Sequence, residues 1–462
     1  MRLNVKPWQN FKWRLFIITF VTLVLGFNTV WAEEPIQALS IDQAIRIAME
    51  NSLQRRLAQD NVKIARDKLA QAFSAYGPQL TLNGAYNHYN EQPAEAQLAQ
   101  GIVNLGNALS KQIYGPNGPQ QQNIDDSLNY YGYNFQLSQP LYTGGKLTAT
   151  KNAAKSNHQS AQANLTVTDN NLVLAVKKGY YTVLLCQEME ITMNDAVFSM
   201  ENHLREANCY YKVNLVPKLD VLRAEEKLAD LKQKQLLAQN NLILAKTSFN
   251  YVLGVDLITN YSFDGKMESG QLLHDLNSYQ TEALARRPEL EDINAKIEMA
   301  RQAVLIAKSD HKPTVALVAD SRHSEPINEA PSKTVGVIAT VKLFDSGMAS
   351  HRVAEAEDTL RQAQTGKELV ERGINLEVEQ AYRNVQVALK TIEVAEKSLD
   401  TARETLQVAQ TRYKVGLSTS LERLDAEVGL TQAKTNYTQA LSMYNIALAE
   451  LDRAIGKRNS SK

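Results

Sequence analysis

The sequence predicts a mainly α protein with a β-barrel segment. It is built from two structural repeats, each a long antiparallel coiled-coil hairpin plus a strand pair. Three observations lead there. Residues 139–254 and 341–456 align at one constant offset of 202 without a gap, and eight of the 15 residues in Tyr211–Glu225 are identical to those in Tyr413–Glu427. Chance does not hold a register over such a length, so each half is one structural unit. Large apolar residues recur every seven positions with alanine three positions later, which is a coiled-coil seam. Four stretches of about ten residues alternate apolar with polar side chains, the pattern of membrane barrel strands.

The first 32 residues read as a secretory signal. Arg2, Lys6, Lys12 and Arg14 form a basic start, Leu15–Phe27 is an apolar run of 13, and Val30-Trp31-Ala32 offers a cleavage site. Thirteen apolar residues are too few for a bilayer-spanning helix. Removal takes four of the 50 basic side chains and none of the 50 acidic ones, leaving a net charge of −4. That balance argues against a nucleic-acid partner. No later stretch is apolar enough for a transmembrane helix, so any second entry into a membrane must use β-strands.

The remaining chain divides by pattern. A first repeat at 33–254 has strands at about 78–90 and 131–141 and a hairpin at 146–253. A connecting, equatorial segment covers 255–280. The second repeat at 281–456 has strands at about 313–323 and 334–344 and a hairpin at 348–455, followed by a tail at 457–462.

The helices come from the seam. Val378, Val385, Ile392, Leu399, Leu406 and Tyr413 are seven apart, with Ala381, Ala388, Ala395, Ala402 and Ala409 between them. A strict heptad imposes a left-handed supercoil. The pattern resumes after Gly416 through Leu430, Tyr437, Tyr444 and Leu451, so the chain turns back on itself at 415–420. In the first repeat, Val176, Val183, Val197, Leu204 and Tyr211 take the same positions, interrupted by Glu190. Descending helices at about 146–212 and 348–413 are each on the order of 100 Å long at 1.5 Å per residue. Returning helices at 218–253 and 420–455 are little more than half that. Two more helices are expected at about 41–75 and 281–310. Cys186 stands where the second repeat has Ala388, a packing position. Cys209 lies 23 residues further along the same helix, roughly 35 Å away, beyond the reach of a disulfide.

Strand faces follow from alternation. Leu80, Leu82, Tyr86 and His88 share one face of the first strand; Tyr131, Tyr133, Phe135, Leu137 and Leu141 share one face of the second. Val315, Leu317 and Ala319 alternate with polar residues in the third, and Val335, Val337, Ala339, Val341 and Leu343 in the fourth. The first pair is joined by about 40 residues at Glu91–Tyr130, rich in Gln, Asn, Gly and Pro; the second by the short Glu325–Lys333. Four strands cannot close a barrel, since the smallest have eight, and open edges are not tolerated in lipid. The chain must therefore oligomerise, as a dimer with eight strands or a trimer with twelve.

The order of signal, helix, strand, loop, strand, long helix, Tyr-Lys-Val-x-Leu turn and helix, then the same again, resembles the TolC-like outer-membrane efflux protein family over essentially the whole mature chain. The motifs that carry it are Gln139-Pro-Leu-Tyr-Thr-Gly-Gly145, Tyr413-Lys-Val-Gly-Leu417, Leu424-Asp-Ala-Glu427, and the Leu253-Gly254 and Ile455-Gly456 helix ends. The resemblance implies a homotrimer with a 12-strand barrel in the outer membrane of a Gram-negative bacterium. A 12-helix tunnel would cross the periplasm and end in an iris of helix tips. It implies a passive exit duct of a tripartite efflux or type I secretion system for small molecules or polypeptides. The energy would come from an inner-membrane pump or ABC transporter, reached through a periplasmic adaptor (membrane fusion) protein. Adaptor docking would fall on Val213, Asn214 and Leu215 and on Val415, Gly416, Leu417 and Ser418. Asn214 replaces the usual glycine and can itself adopt a left-handed backbone. The channel constriction would be lined by Glu422 and Asp425, with Asp220 and Arg223 at the corresponding places in the first repeat. In a trimer, Glu422 and Asp425 would form a ring of six carboxylates favouring cations. Thr419-x-x-Glu422 is equally a capping box. Tyr211 and Tyr413 would take part in hydrogen bonds that hold the iris shut.

Nothing in the chain predicts an enzyme, a cofactor or a metal. The seven histidines are scattered without metal-ligand spacing, and Gly144-Gly-Lys-Leu147 lacks the serine or threonine of a phosphate loop. Two other classes share some of the features. A secreted trimeric coiled-coil adhesin or scaffold would lack a strand pair in each repeat, and a periplasmic adaptor would carry one hairpin, not two.

Overall fold

A computed structural model describes residues 37–91, 94–121, 129–325 and 332–457. The segment read as a signal lies outside them, as does the tail beyond Lys457. The elements in chain order are β1 (Gln37–Ala38), α1 (Ile41–Asn51), α2 (Leu53–Ser74), β2 (Gln79–His88), α3 (Ala94–Tyr114), β3 (Asn129–Tyr142), α4 (Lys146–Lys212), α5 (Lys218–Leu253), β4 (Tyr261–Ser262), α6 (Leu276–Arg286), α7 (Pro288–Ser309), β5 (Thr314–Glu325), β6 (Ser332–Thr340), α8 (Met348–Lys414) and α9 (Ser420–Ala454). They form two compact units: residues up to Asn51 with Val176–Glu268 and Ala395–Ser442, and Ser52–Ala175 with Ser269–Val394 and the chain from Met443 onwards.

The helices at 41–75 and 281–310 are each two helices. Ser52 breaks the first by acting as N-cap, its hydroxyl accepting from the Arg55 amide, a role that favours serine over a helix interior. Pro288 starts the second of the other pair at its first position, where its missing N–H costs nothing. α6 begins at Leu276, inside the segment read as a connector. The long loop after β2 carries the 21-residue helix α3. β6 spans 332–340 rather than 334–344, so Val341, Leu343 and Phe344 lie beyond the strand and are exposed. Neither β1 nor β4 was signalled by alternation; they are two residues each and pair in parallel.

In the unit containing the helix tips, Val197, Met200, Leu231 and Leu424 form a buried apolar cluster. Tyr180, Phe249 and Phe263 pack edge-on or tilted with ring centroids 5.5–6.1 Å apart. The Tyr180 hydroxyl donates to the Leu39 carbonyl at 3.0 Å. A side chain at Gly179 would meet Phe249 at 2.8 Å, so the missing Cβ is what admits the ring. Cys186 is half-buried, Cys209 is exposed, and both are free thiols.

The other unit holds an antiparallel sheet in the order β2-β3-β5-β6. Gln79 pairs with Ser138 at the end where the strands join the helices, and His88 with Asn129 at the far end. At the α6–α7 break, the buried Arg287 guanidinium donates to Glu289 and Glu377 at 2.7 Å each and to the Ala454 carbonyl at 3.1 Å. Arg453 also pairs with Glu377.

Candidate functional site

Cross-strand partners point to the same face of a sheet, so the register assigns the faces. Leu80, Leu137, Ala319 and Val335 form one row, and Leu82, Phe135, Ser321 and Lys333 the next; Gly84, Tyr133 and His323, then Tyr86 with Tyr131, continue that face. The opposite face carries Thr81, Gln136, Asp320 and Thr334 in one row, and Asn83, Asn134, Arg322 and Ser332 in another. One side is thus mainly apolar and aromatic, interrupted by Ser321, Lys333 and His323; the other is mainly amide, hydroxyl and charge, with Ala316, Val318 and Ile338 near the helix end. Leu80, Leu82, Tyr86 and Val335 are all exposed, and among the described residues β2 and β6 have no further strand on their outer edges.

The two helix tips share one backbone. At the first, the Leu215 amide donates to the Tyr210 carbonyl at 2.9 Å and the Asn214 amide to Tyr211 at 3.0 Å; at the second, Leu417 donates to Arg412 at 2.9 Å and Gly416 to Tyr413 at 3.1 Å. This is the Schellman closure of a helix C-terminus, which needs a left-handed residue. Asn214 supplies it with φ 56° and Gly416 with φ 74°. Val213, Leu215, Val415 and Leu417 stand exposed on these turns, and Ser418 is half-buried. Pro217 caps α5 without a side-chain bond. α9 starts with the Glu422 amide donating to Thr419 Oγ1 at 3.3 Å and the Ser418 hydroxyl donating to the Glu422 carboxylate at 2.8 Å.

Glu422 and Asp425 are both exposed. They line one groove of about 960 Å³ between α8 and α9, with Ala402, Ala409, Arg412 and Gly429. Asp220 is half-buried and lies near Tyr413, where its charge, second to burial, raises the phenol above its ordinary range. Tyr211 and Tyr413 are not equivalently placed: Tyr211 is exposed, Tyr413 is buried. The Tyr413 ring packs against Tyr210 and His203 at 5.8 and 5.5 Å, and the Arg423 guanidinium sits 5.5 Å over it.

Behind the second tip lies a buried polar cluster that the repeat pattern did not single out. Arg423, 4% exposed, pairs with Glu206 and, at 3.2 Å, with Glu427, itself 6% exposed. Ser199 donates to Glu427 at 3.3 Å, while Glu427 Oε2 meets no partner. Burial raises the Glu427 carboxyl despite the guanidinium beside it. His203 is fully buried, with Nε2 3.1 Å from the Ser420 hydroxyl and Nδ1 unpartnered. Burial first, then Arg423, lowers its pKa to about 4, against the opposing pull of Glu206, so it is neutral at pH 7. A signal for the cluster did exist in the sequence: the offset of 202 places Val221 opposite Arg423 and Val408 opposite Glu206. At each of these two positions one half carries a charge and the other a valine: Glu206 in the first half, Arg423 in the second.

Among the described residues, no group of three or more His, Cys, Asp or Glu is placed to hold a metal ion, and no helix is long and apolar enough to cross a membrane.

Comparison with known proteins agrees with this geometry. The model of a family described as outer membrane efflux protein matches residues 44–255 and 280–457. The outer membrane protein TolC of Vibrio cholerae serotype O1 is 22% identical over 383 residues, 79% of this chain and 77% of that one. The crystal structure of VceC, an outer membrane protein of Vibrio cholerae, is similar with a TM-score of 0.73 at 18% identity, covering 90% of this chain and 96% of its own. The Campylobacter jejuni CmeC outer membrane channel reaches 0.74 at 15% identity, covering 92% and 90%. At such identities the likeness establishes the fold.

Proposed function

The chain belongs to the outer membrane efflux protein family, and from that membership we propose that it is the exit duct of a tripartite efflux or type I secretion system. Three chains each contribute four strands to a twelve-strand barrel and four long or returning helices to a twelve-helix periplasmic tunnel. The duct is passive; an inner-membrane pump or ABC transporter drives small molecules or polypeptides through it by way of a periplasmic adaptor. The adaptor engages the tips at Val213, Asn214 and Leu215 and at Val415, Gly416, Leu417 and Ser418. Glu422 and Asp425, with Asp220, line the constriction, and Tyr211 and Tyr413 belong to the contacts around it.

The observation that supports this most is the sheet. A four-stranded antiparallel sheet whose outer strands pair with no other described strand, with one mainly apolar aromatic face and one mainly polar face, cannot be stable alone in lipid. It matches the lipid-facing and lumen-facing sides of a barrel strand. The exposed apolar side chains Val213, Leu215, Val415 and Leu417 on the two tip turns mark a docking surface of the kind a partner protein covers.

Membrane fractionation of a producing Gram-negative cell tests the reading. The expected result is an outer-membrane protein that runs as a trimer unheated and as a monomer after heating, with three chains by native mass spectrometry. A soluble periplasmic monomer would overturn it. Loss of resistance to a set of toxic compounds on deletion, or loss of a secreted polypeptide, identifies the cargo class.

A further inference from the structure

The helix α3 sits in the β2–β3 connection, at the strand end away from α2 and α4, since β2 enters from α2 and β3 leaves into α4. Leu98, Ile102, Leu105 and Leu109 are spaced by four, three and four residues, the a/d spacing of a coiled coil. All four are 49–69% exposed. Beside this seam stand Ala94, Gly101 and Ala108 on one flank and Ala99 and Gly106 on the other; a Cβ at Gly106 would meet the Gln121 side chain at 3.3 Å, so the Gly101 flank is the open one. Around Gly101 there is open space, so another backbone could come close. The back of the helix is already covered. Asn107 exchanges hydrogen bonds with the Gln121 backbone at 2.5 and 2.9 Å, and the Ser110 hydroxyl donates to the Pro119 carbonyl at 2.6 Å. The return segment thus holds the polar side and leaves the seam open.

We propose that α3 is a self-association element: its seam packs against the same seam of other copies of this chain, forming a helical collar at the mouth of the barrel. Charge decides against a lipid surface as the occupant. Helices that lie on membranes carry lysine and arginine on the polar face. Apart from Glu95 and Lys111, the polar residues of α3 are uncharged Gln, Asn and Ser, with Tyr114 at its end. The same neutrality removes like-charge repulsion between identical helices brought side by side. About two heptads are too short to associate from dilute solution, but strands of one shared barrel tether the copies at an effective concentration in the millimolar range. The proposal rests on the oligomeric channel reading above.

Site-directed crosslinking tests it. In the full chain carrying Cys186→Ser and Cys209→Ser, single Leu105→Cys and Asn104→Cys variants are oxidised in the purified oligomer, whose chain number is measured first by native mass spectrometry. Leu105→Cys should give a disulfide-linked dimer band in most of the protein, and Asn104→Cys at least fivefold less. An intact oligomer with no crosslink at Leu105, with equal crosslinking at both positions, or with crosslinks that increase on concentrating the sample, would overturn the collar while leaving the channel reading untouched. Absence of any oligomer would instead overturn the channel reading. A spectroscopic label at Leu105→Cys that is quenched by brominated lipid would assign the seam to the membrane surface. Leu105→Asn should raise single-channel conductance if the collar narrows the mouth; unchanged conductance would also count against it.

Discussion

The two helix tips have the same backbone and different foundations. Both close with the same pair of hydrogen bonds around a left-handed residue, and both expose a valine and a leucine. Behind the second, Arg423, Glu427 and His203 are buried in a polar cluster with Glu206 and Ser420; the first has Val221 where the second has Arg423. Turn geometry is therefore a local property that Asn or Gly can satisfy. What distinguishes the tips is a set of residues brought together from α4 and α9, and such a set can be altered without touching the turn.

The largest effect should come from removing the cation. Arg423→Val leaves Glu427 with only the Ser199 hydroxyl and takes the cation from Glu206, and breaking a buried pair costs about 3–5 kcal/mol. Thermal unfolding of the purified protein should show the loss. Adding Glu427→Leu and Glu206→Val should recover most of it, because an apolar replacement of a buried ion cluster is often neutral or stabilising. If the single substitution proves harmless, the cluster does not hold the second tip. Next comes His203. Its folded pKa of about 4 lies below the unfolded value of about 6.5, so the unfolded chain binds more protons between these limits. Stability from this group is whole above pH 6.5 and declines as pH falls towards 4, by roughly 3 kcal/mol at most. Glu427, with a raised pKa, acts in the opposite sense, losing its contribution as pH rises. His203→Gln should flatten the acid limb of the stability curve relative to the parent protein. Identical slopes would remove His203 from the account.

Much of the fold was legible because long helices repeat their reason for being helical. Val378, Val385, Ile392 and Leu399 say the same thing four times, and all four are buried. Features with one cause were harder to read. Ser52 interrupts a helical run through a single hydroxyl, and Pro288 is a good helix start as well as a helix breaker. The amide-rich loop composition masked the seam Leu98, Ile102, Leu105 and Leu109. At the tips, the break in the seam around Gly416 marked a turn, and the family resemblance pointed to Val213–Leu215 and Val415–Ser418; the Schellman closures are local and leave such a trace. Arg423 and Glu206 lie 217 positions apart, so their meeting depends on how α4 packs against α9, which no local pattern reports.

Smaller effects should separate the turns themselves. Gly416→Ala places a Cβ in open space, so only the left-handed backbone opposes it, at about 1–2 kcal/mol. Faster amide exchange at Val415–Ser418 would report that strain. Asn214→Gly, at a residue already left-handed, should change exchange at the first tip by well under 1 kcal/mol. A response as large as that of Gly416→Ala would mean the Asn214 side chain carries more than its backbone conformation.

The smallest effect on stability should come from Glu422→Ala with Asp425→Ala, since both carboxylates are exposed and such changes usually stay within about 0.5 kcal/mol; the lost Ser418 contact adds little. Their consequence should appear in conduction. If the second tips of three chains line the constriction, removing six negative charges takes away a cation-favouring ring. Conductance through the narrow mouth should rise and block by divalent cations should weaken. Arg223→Asp, which gives the first tip the carboxylate that the second has at Asp425, should shift selectivity towards cations if both tips face the same pore. Conductance and block that match the parent channel in all three substitutions would place the constriction elsewhere and leave the polar difference between the tips as a matter of stability alone.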